Sequence, residues 1–451
     1  MTAWAVRSTE KGSDRSGAFG RAAVAVAEFP GLAREVVAEL RASADPNAFG
    51  APHRVPLPEI DRAGFEPVET VAGVELPGLL LRADRARLAR GWRILVGAFE
   101  IGDRFGNAAV LLDPDLRAVH LWRLEEEPLG ESTPEVADRV LPHGFALLEG
   151  AAVVAAFDNG VTLQSFDNCG RRAWAIEGGY HHTITAMEDG RTIWTALQGL
   201  TPAQEARRSP DAEWNPAIDN RIARIDARTG EVERVFSMAE VIEANPDLDI
   251  FRLRMNHRAV PAINQPHITG PWQYNPFHIN DVDPLPERLA AAFPDFVPGD
   301  LLVSARSVNL VFVLDPDTLK VRWWRIGAWN RQHDPDWEEN GRFSIYNNRL
   351  ARAWSEIVEI DPRSFETRRL LDGREHGFYS RIRGKHQILP DGTILVASSQ
   401  QARVFERAPA GDIRFEALNS VPSVPGQGYV LSEALWVPED ALSMGADGCP
   451  R

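Results

Sequence analysis

The 451-residue chain has only two cysteines, Cys169 and Cys449. That scarcity excludes a disulfide-stapled scaffold and any paired-cysteine zinc motif, and leaves a single bridge between the two as an open question. No stretch reaches the ~18 consecutive apolar residues expected of a membrane-spanning helix. The N-terminus likewise lacks the apolar centre of a secretory signal. Positive charge is in short supply: 49 Lys and Arg against 64 Asp and Glu leave a net charge of −15. Such a balance argues against non-specific binding to nucleic acid or to an anionic membrane.

What is present is a repeat. Leu111-Leu112-Asp113-Pro114-Asp115 runs on to Val119 and Trp122, and Ser165-Phe166-Asp167-Asn168 runs on to Ala173. Arg224-Ile225-Asp226 leads to Val232, Val313-Leu314-Asp315-Pro316-Asp317 to Val321 and Trp324, and Glu359-Ile360-Asp361-Pro362 to Thr367. Val404-Phe405-Glu406, followed by Gly411-Asp412-Ile413, is a looser sixth copy. An Asp or Asn at a turn bonds its own backbone two residues on, so each copy reads as a hairpin corner. The corners are spaced about 45 to 60 residues apart, with one wider gap between Asp226 and Asp315. Units of that size cannot bury their faces alone and must stack. The expected fold is all-β, a six-bladed β-propeller, with a helical N-terminal segment and a long insertion between two blades.

Along the chain, apolar residues at three- and four-residue steps (Ala22, Phe29, Leu32, Val36, Leu40) predict a helix within 14–42, broken at Pro30. A proline-rich linker at 43–58 completes this N-terminal region, 1–58. The propeller is expected over 59–442, with blades near 91–125, 144–178, 189–237, 297–328, 340–371 and 390–418. Asp189-Gly190, Asn340-Gly341 and Asp391-Gly392 supply the positive-φ residues of tight hairpins. Residues 201–219 read as a surface loop. The insertion, 237–296, carries a short helical piece near 238–245 and an aromatic, proline-rich loop at 261–277. Val430, Leu435, Trp436 and Val437 suggest a closing strand, and 443–451 a disordered tail.

Four motifs stand where blades begin: Tyr180-His181-His182-Thr183-Ile184, Phe277-His278-Ile279-Asn280-Asp281, Ser304-Ala305-Arg306 and Arg331-Gln332-His333-Asp334. Innermost propeller strands line the axis, so these histidines and the arginine converge on one funnel. Imidazole is a nucleophile and acid–base group near neutral pH. A guanidinium presents a planar fork of donors to sulfate or phosphate oxygens. The set suits transfer of a sulfuryl or phosphoryl group without a metal or other cofactor.

From His181 to about Phe405 the chain resembles the bacterial PAPS-independent arylsulfotransferases. The resemblance rests on His181-His182-x-Ile184, Phe277-His278-Ile279-Asn280-Asp281-Val282-Asp283, Ser304-x-Arg306, Arg331-Gln332-His333-Asp334, Phe343-Ser344-Ile345-Tyr346-Asn347-Asn348 and Gln387-x-Leu389-Pro390-Asp391-Gly392-Thr393. It implies a six-bladed propeller that moves a sulfuryl group from a phenolic sulfate to a phenol through a sulfated histidine. By that resemblance His333 is the nucleophile. His278 and Arg306 hold the sulfuryl oxygens, with His278 also a proton donor, and His182 or His181 supplies the double-histidine position. Asn280, Trp272, Tyr274 and His386 are further substrate-contact candidates. Thr183 stands where the family commonly has Asp, and a longer stretch within Pro284 to Pro298 separates His278 from Arg306. The resemblance also implies an exported, periplasmic or envelope setting, with membrane association through a missing or truncated N-terminus. Two other readings remain open on the residues: a propeller that only binds a ligand or protein partner, and a sulfatase or phosphatase using water at the same site.

Overall fold

The computed structural model describes residues 53–124, 141–158, 162–198, 220–248 and 277–451, apart from positions 69, 72, 103 and 351. The predicted helix at 14–42, the loop at 201–219 and nearly all of the loop at 261–277, Trp272 and Tyr274 included, lie outside the described residues. Among those described, no helix is long and apolar enough to cross a membrane.

Six antiparallel sheets make the propeller. From the axis outward, the second blade is Leu141–Leu147, Val153–Asp158, Thr162–Phe166 and Arg172–Glu177, and the third is Tyr180–Ala186, Thr192–Gln198, Asn220–Asp226 and Val232–Ser237. The fourth is Ile279–Pro284, Leu301–Ala305, Leu310–Leu314 and Val321–Ile326, and the fifth is His333–Trp337, Phe343–Asn347, Glu356–Ile360 and Thr367–Asp372. The sixth, Lys385–Ile388, Ile394–Ser398, Arg403–Arg407 and Ile413–Asn419, is extended outward by Leu79–Ala83 and Glu66–Pro67.

The first blade closes the ring. Its inner strand is Leu431–Pro438, from the far end of the chain, paired antiparallel with Gly91–Ile101. A buried, bidentate pair reinforces this seam: Arg93 donates to both oxygens of Glu406, at 2.6 and 2.9 Å, and to the carbonyl of Gly91 at 2.9 Å. The looser sixth corner is therefore not a turn at Glu406. That side chain points into the protein, and the turn follows at Ala408–Gly411.

The five aspartate corners behave as the repeat implies. Asp113 Oδ1 accepts from the backbone of Asp115 and Arg117 at 3.0 and 2.8 Å, and Asp361 Oδ1 from Arg363 and Ser364 at 2.8 and 3.0 Å. Asp167, Asp226 and Asp315 do the same. Apolar side chains fill the seams between blades. Leu285, Leu289, Phe293 and Phe296, in the stretch after the fourth inner strand, pack with Trp337 and Phe343 of the fifth blade.

Three boundaries are corrected. Residues 237–296 are not one insertion, because Ile279–Pro284 is the innermost strand of the fourth blade. What precedes it includes the helix Met238–Ala244, held by a capping box between Ser237 and Glu240. The linker region reaches into the propeller, since Arg54–Pro56 pairs with Gln427–Tyr429. The tail is ordered: Ser443 and Arg451 exchange backbone hydrogen bonds, and Cys449 is disulfide-bonded to Cys169 on the second blade.

Candidate functional site

The six innermost strands surround the axis, and five of them carry a register shift near their start. A bulge inserts an extra residue and re-aims its side chain. In the third blade it falls between His181 and Ile184, where His182 adopts φ 69°. Adjacent strand residues ordinarily face opposite ways. Here the bulge turns both imidazoles toward the fourth blade, with ring centres of His181 and His182 at 5.9 and 4.7 Å from that of His278. His278 and Asp334 also have positive φ, 50° and 53°. Such backbone strain concentrates where function over-determines the conformation.

The result is a ring of imidazoles. His182 and His333 lie nearly parallel, with centres 5.9 Å apart and planes 13° apart. His143 lies tilted against His182 at 4.1 Å and stacks with His333 at 6.5 Å. His278 Nε2 meets His182 Nε2 at 3.0 Å, and an Arg306 Nη lies 3.4 Å from His278 Nδ1. A guanidinium can only donate. Its contact therefore makes His278 Nδ1 the acceptor, leaves the proton on Nε2, and directs that proton to His182. Arg306, His278 and His182 form a one-way chain of donors.

His333 is 2% exposed, and its Nδ1 lies 2.7 Å from Asn348 Oδ1. Its Nε2 is buried without a hydrogen-bond partner among the described residues. Burial, then the Arg306 and His143 charges, push His333 well below the usual imidazole range. Burial and the neighbouring histidines do the same to His182. Both are neutral at pH 7, so His333 carries an available lone pair, and Arg306 is a fixed positive charge beside it.

Three ring nitrogens of His181, His182 and His278 fall within 4.8 Å of one another, a grouping that could hold a metal ion. The donor chain favours an anion instead. A cation at His278 Nε2 would have to expel the proton that the Arg306 contact places there, beside a like charge.

On the same innermost strands the charge reverses. Lys385 Nζ bridges Asp281 at 2.9 Å and Asp334 at 2.7 Å. Burial opposes its charge, but Asp281, Asp334 and Glu433 hold its pKa well above the usual lysine range. Burial raises Asp281 to about 6 and Glu433 to about 8, Lys385 opposing in both cases. Glu433 accepts the Gly144 N–H at 2.8 Å. Thr183 donates weakly to Asp281, at 3.4 Å, so this carboxylate reaches the residue beside His182 from another blade.

Beyond Lys385, Asp334 Oδ2 contacts His386 Nδ1 at 2.9 Å, and His386 Nε2 contacts Ser344 Oγ at 2.8 Å. The connectivity is that of an acyl-transfer triad. Ser344, however, is fully buried and donates to Glu338 at 2.6 Å, which leaves no opening for a substrate. This chain of groups ties the fifth and sixth blades together.

The structure thus brings His182, His278, Arg306 and His333 into one cluster, with His181 beside them. Asn280 is buried and donates to the Gln332 carbonyl at 2.8 Å, bracing the strand that carries His333. His386 contacts Asp334 and Ser344. Sequence reasoning overlooked His143, Asn348 and Lys385. His143 opens an inner strand as the other site histidines do, and Asn348 ends a motif already singled out, so both left a signal.

A family model described as arylsulfotransferase (ASST) matches residues 144–420, more than half the chain. No curated protein matches. Among solved structures, a protein of unknown function from Bacteroides caccae is 12% identical with a TM-score of 0.47, over 77% of this chain and 99% of that one. Hydrazine synthase from Kuenenia stuttgartiensis is 14% identical, with a TM-score of 0.38, over 68% of this chain and 72% of that one. A catalytically inactive variant of virginiamycin B lyase from Staphylococcus aureus, with quinupristin, is 10% identical, with a TM-score of 0.35, over 67% of this chain and 85% of that one. On the family match, which spans the four site motifs and five of the six blades, this chain belongs to the arylsulfotransferase family.

Proposed function

We propose that the protein transfers a sulfuryl group from a phenolic sulfate to a phenol through a sulfated His333. The observation that carries this reading is the pairing of a buried, neutral imidazole, its Nε2 unoccupied among the described residues, with the Arg306–His278–His182 donor chain. In the first half-reaction the Nε2 lone pair forms a bond to sulfur. The S–O(aryl) bond breaks with its electron pair on the phenolate, which takes a proton from water on release. Arg306 faces the charge on the sulfuryl and bridging oxygens, while its contact with His278 keeps the Nε2–H of that ring on His182. Donors preorganised for that charge, in a buried site, stabilise the transition state without reorganising. In the second half-reaction an acceptor phenolate attacks sulfur, and the S–N bond returns its electrons to Nε2.

Because one site serves both halves, donor and acceptor alternate. Steady-state rates at several acceptor concentrations should give parallel double-reciprocal lines, the signature of a covalent relay. Intersecting lines would contradict it. Release of phenol at full rate with no acceptor present would point instead to water as the acceptor.

A further inference from the structure

We propose that Asn348 is the positioning residue of the nucleophile: its side-chain amide locks His333 in the Nδ1–H tautomer and places the lone pair on Nε2. The inference rests on His333 being the group that accepts sulfur, as proposed above.

The placement of the amide hydrogens decides the tautomer. Asn348 is fully buried just after the strand Phe343–Asn347. Its Nδ2 donates to two backbone carbonyls, Ser380 at 2.8 Å and Arg383 at 2.6 Å. Carbonyl oxygens only accept, so these two contacts consume both amide hydrogens and fix which end of the amide is nitrogen. Reversing it would set Oδ1 against two oxygens. Oδ1 must then face His333, and at 2.7 Å the ring Nδ1 has to be the donor. A neutral imidazole with its proton on Nδ1 carries its lone pair on Nε2, which is the nitrogen without a partner among the described residues.

The turn that orients Asn348 is itself held rigidly. Ser355 Oγ accepts the Ser380 N–H at 3.0 Å, and Ser380 Oγ donates to the Ile382 carbonyl at 2.7 Å. Gly384 follows with φ 105°, where an added Cβ would stand 2.5 Å from the Tyr346 ring. The fifth blade thus supplies the imidazole and its amide, and the approach to the sixth blade dictates which way the amide points.

An amide is also better suited here than a carboxylate. Once sulfur is bound at Nε2 the ring is a sulfo-imidazolium that keeps its Nδ1–H. A carboxylate partner would stabilise that cation and make it a poorer sulfuryl donor, whereas an amide orients it without adding charge. Aspartate would also set a second oxygen against the two carbonyls.

The test begins with the unmodified protein, labelled with 15N-histidine, and the His333 signals assigned by comparison with His333→Asn. The expected pattern is a protonated Nδ1 and an unprotonated Nε2 across pH 6–8. A protonated Nε2, or rapid exchange between tautomers, would overturn the proposal without reference to any activity. Single-turnover formation of the sulfated enzyme is then followed in Asn348→Leu and Asn348→Asp. The first should slow this step by on the order of 10²-fold or more, the scale of a lost tautomer, while the donor KM changes little. Asn348→Asp should slow discharge to the acceptor and shift the pH profile upward. Native tautomer and native rate in a folded Asn348→Leu protein would refute the role. Should the unmodified enzyme form no sulfated species at all, the sulfuryl-transfer reading fails while the tautomer result still stands or falls alone.

Discussion

Replacing Glu433 with Gln should make the protein more stable, and increasingly so as pH rises. Glu433 lies on the closing strand and is 5% exposed. Burial, with Asp334 and Asp281 nearby, raises its pKa from 4.5 to about 8 against the opposing charge of Lys385. Its folded pKa exceeds its unfolded one, so the folded state keeps a proton that the unfolded chain gives up. The stability this proton provides is whole below pH 4.5 and is lost progressively up to pH 8. At about 1.4 kcal/mol per pH unit, that window amounts to an upper bound of about 5 kcal/mol. Glutamine retains an oxygen to accept the Gly144 N–H but cannot ionise. Urea unfolding at about pH 4.5, 6.5 and 8.5 should show near-equal stabilities at the lowest pH. The variant should then gain about 3 kcal/mol near pH 6.5 and most of the bound near 8.5, less whatever the native site recovers by admitting water. A difference independent of pH, or a variant that weakens as pH rises, would refute the electrostatic reasoning.

Other expectations follow from the same geometry. Arg306→Ala removes the formal charge that faces the imidazole ring and should lower kcat/KM for an aryl sulfate by about 10²–10³-fold, the scale of a lost preorganised donor. A change under about tenfold would place the sulfuryl group elsewhere. Because burial keeps His333 neutral well below pH 6.5, single-turnover sulfation should stay flat from about pH 8 to 6, and a fall centred near 6.5 would contradict the buried nucleophile. Converting both Cys169 and Cys449 to Ser should release the tail to limited proteolysis and cost no more than about 5 kcal/mol. Activity should persist, since Leu431–Pro438 closes the ring without the bridge. Loss of cooperative unfolding would show that the bridge itself holds the propeller shut.

The corners are legible in the sequence because an aspartate turn is a local object: five of six can be read from a few consecutive residues. The innermost strands are not, and several blades begin one strand earlier than the sequence suggests. His333-Asp334-Pro335-Asp336 and Lys385-His386-Gln387 are innermost-strand segments made largely of polar residues, so they lack the apolar alternation by which half-buried strands are recognised. Pro335 further disguises its strand, standing at the bulge where no ladder donor is required. Glu406 mimics a corner because its true role, pairing with Arg93 across the closure seam, joins residues 313 apart in sequence. The motif histidines can be named, but not that a bulge at His182 brings both neighbours to one side. The partners that set their chemistry, Asn348 and Lys385, become visible only once blades from distant parts of the chain meet at the axis.

A covalent sulfuryl relay at His333 is read by intact mass after brief exposure to a 4-nitrophenyl sulfate donor, with peptide mapping in mild alkali. The relay requires a gain of about 80 Da, one sulfuryl group, on the peptide that contains His333. Added phenol should discharge it, and His333→Asn should abolish it. Turnover with no modified peptide, or the same adduct in the His333→Asn protein, would rule the relay out.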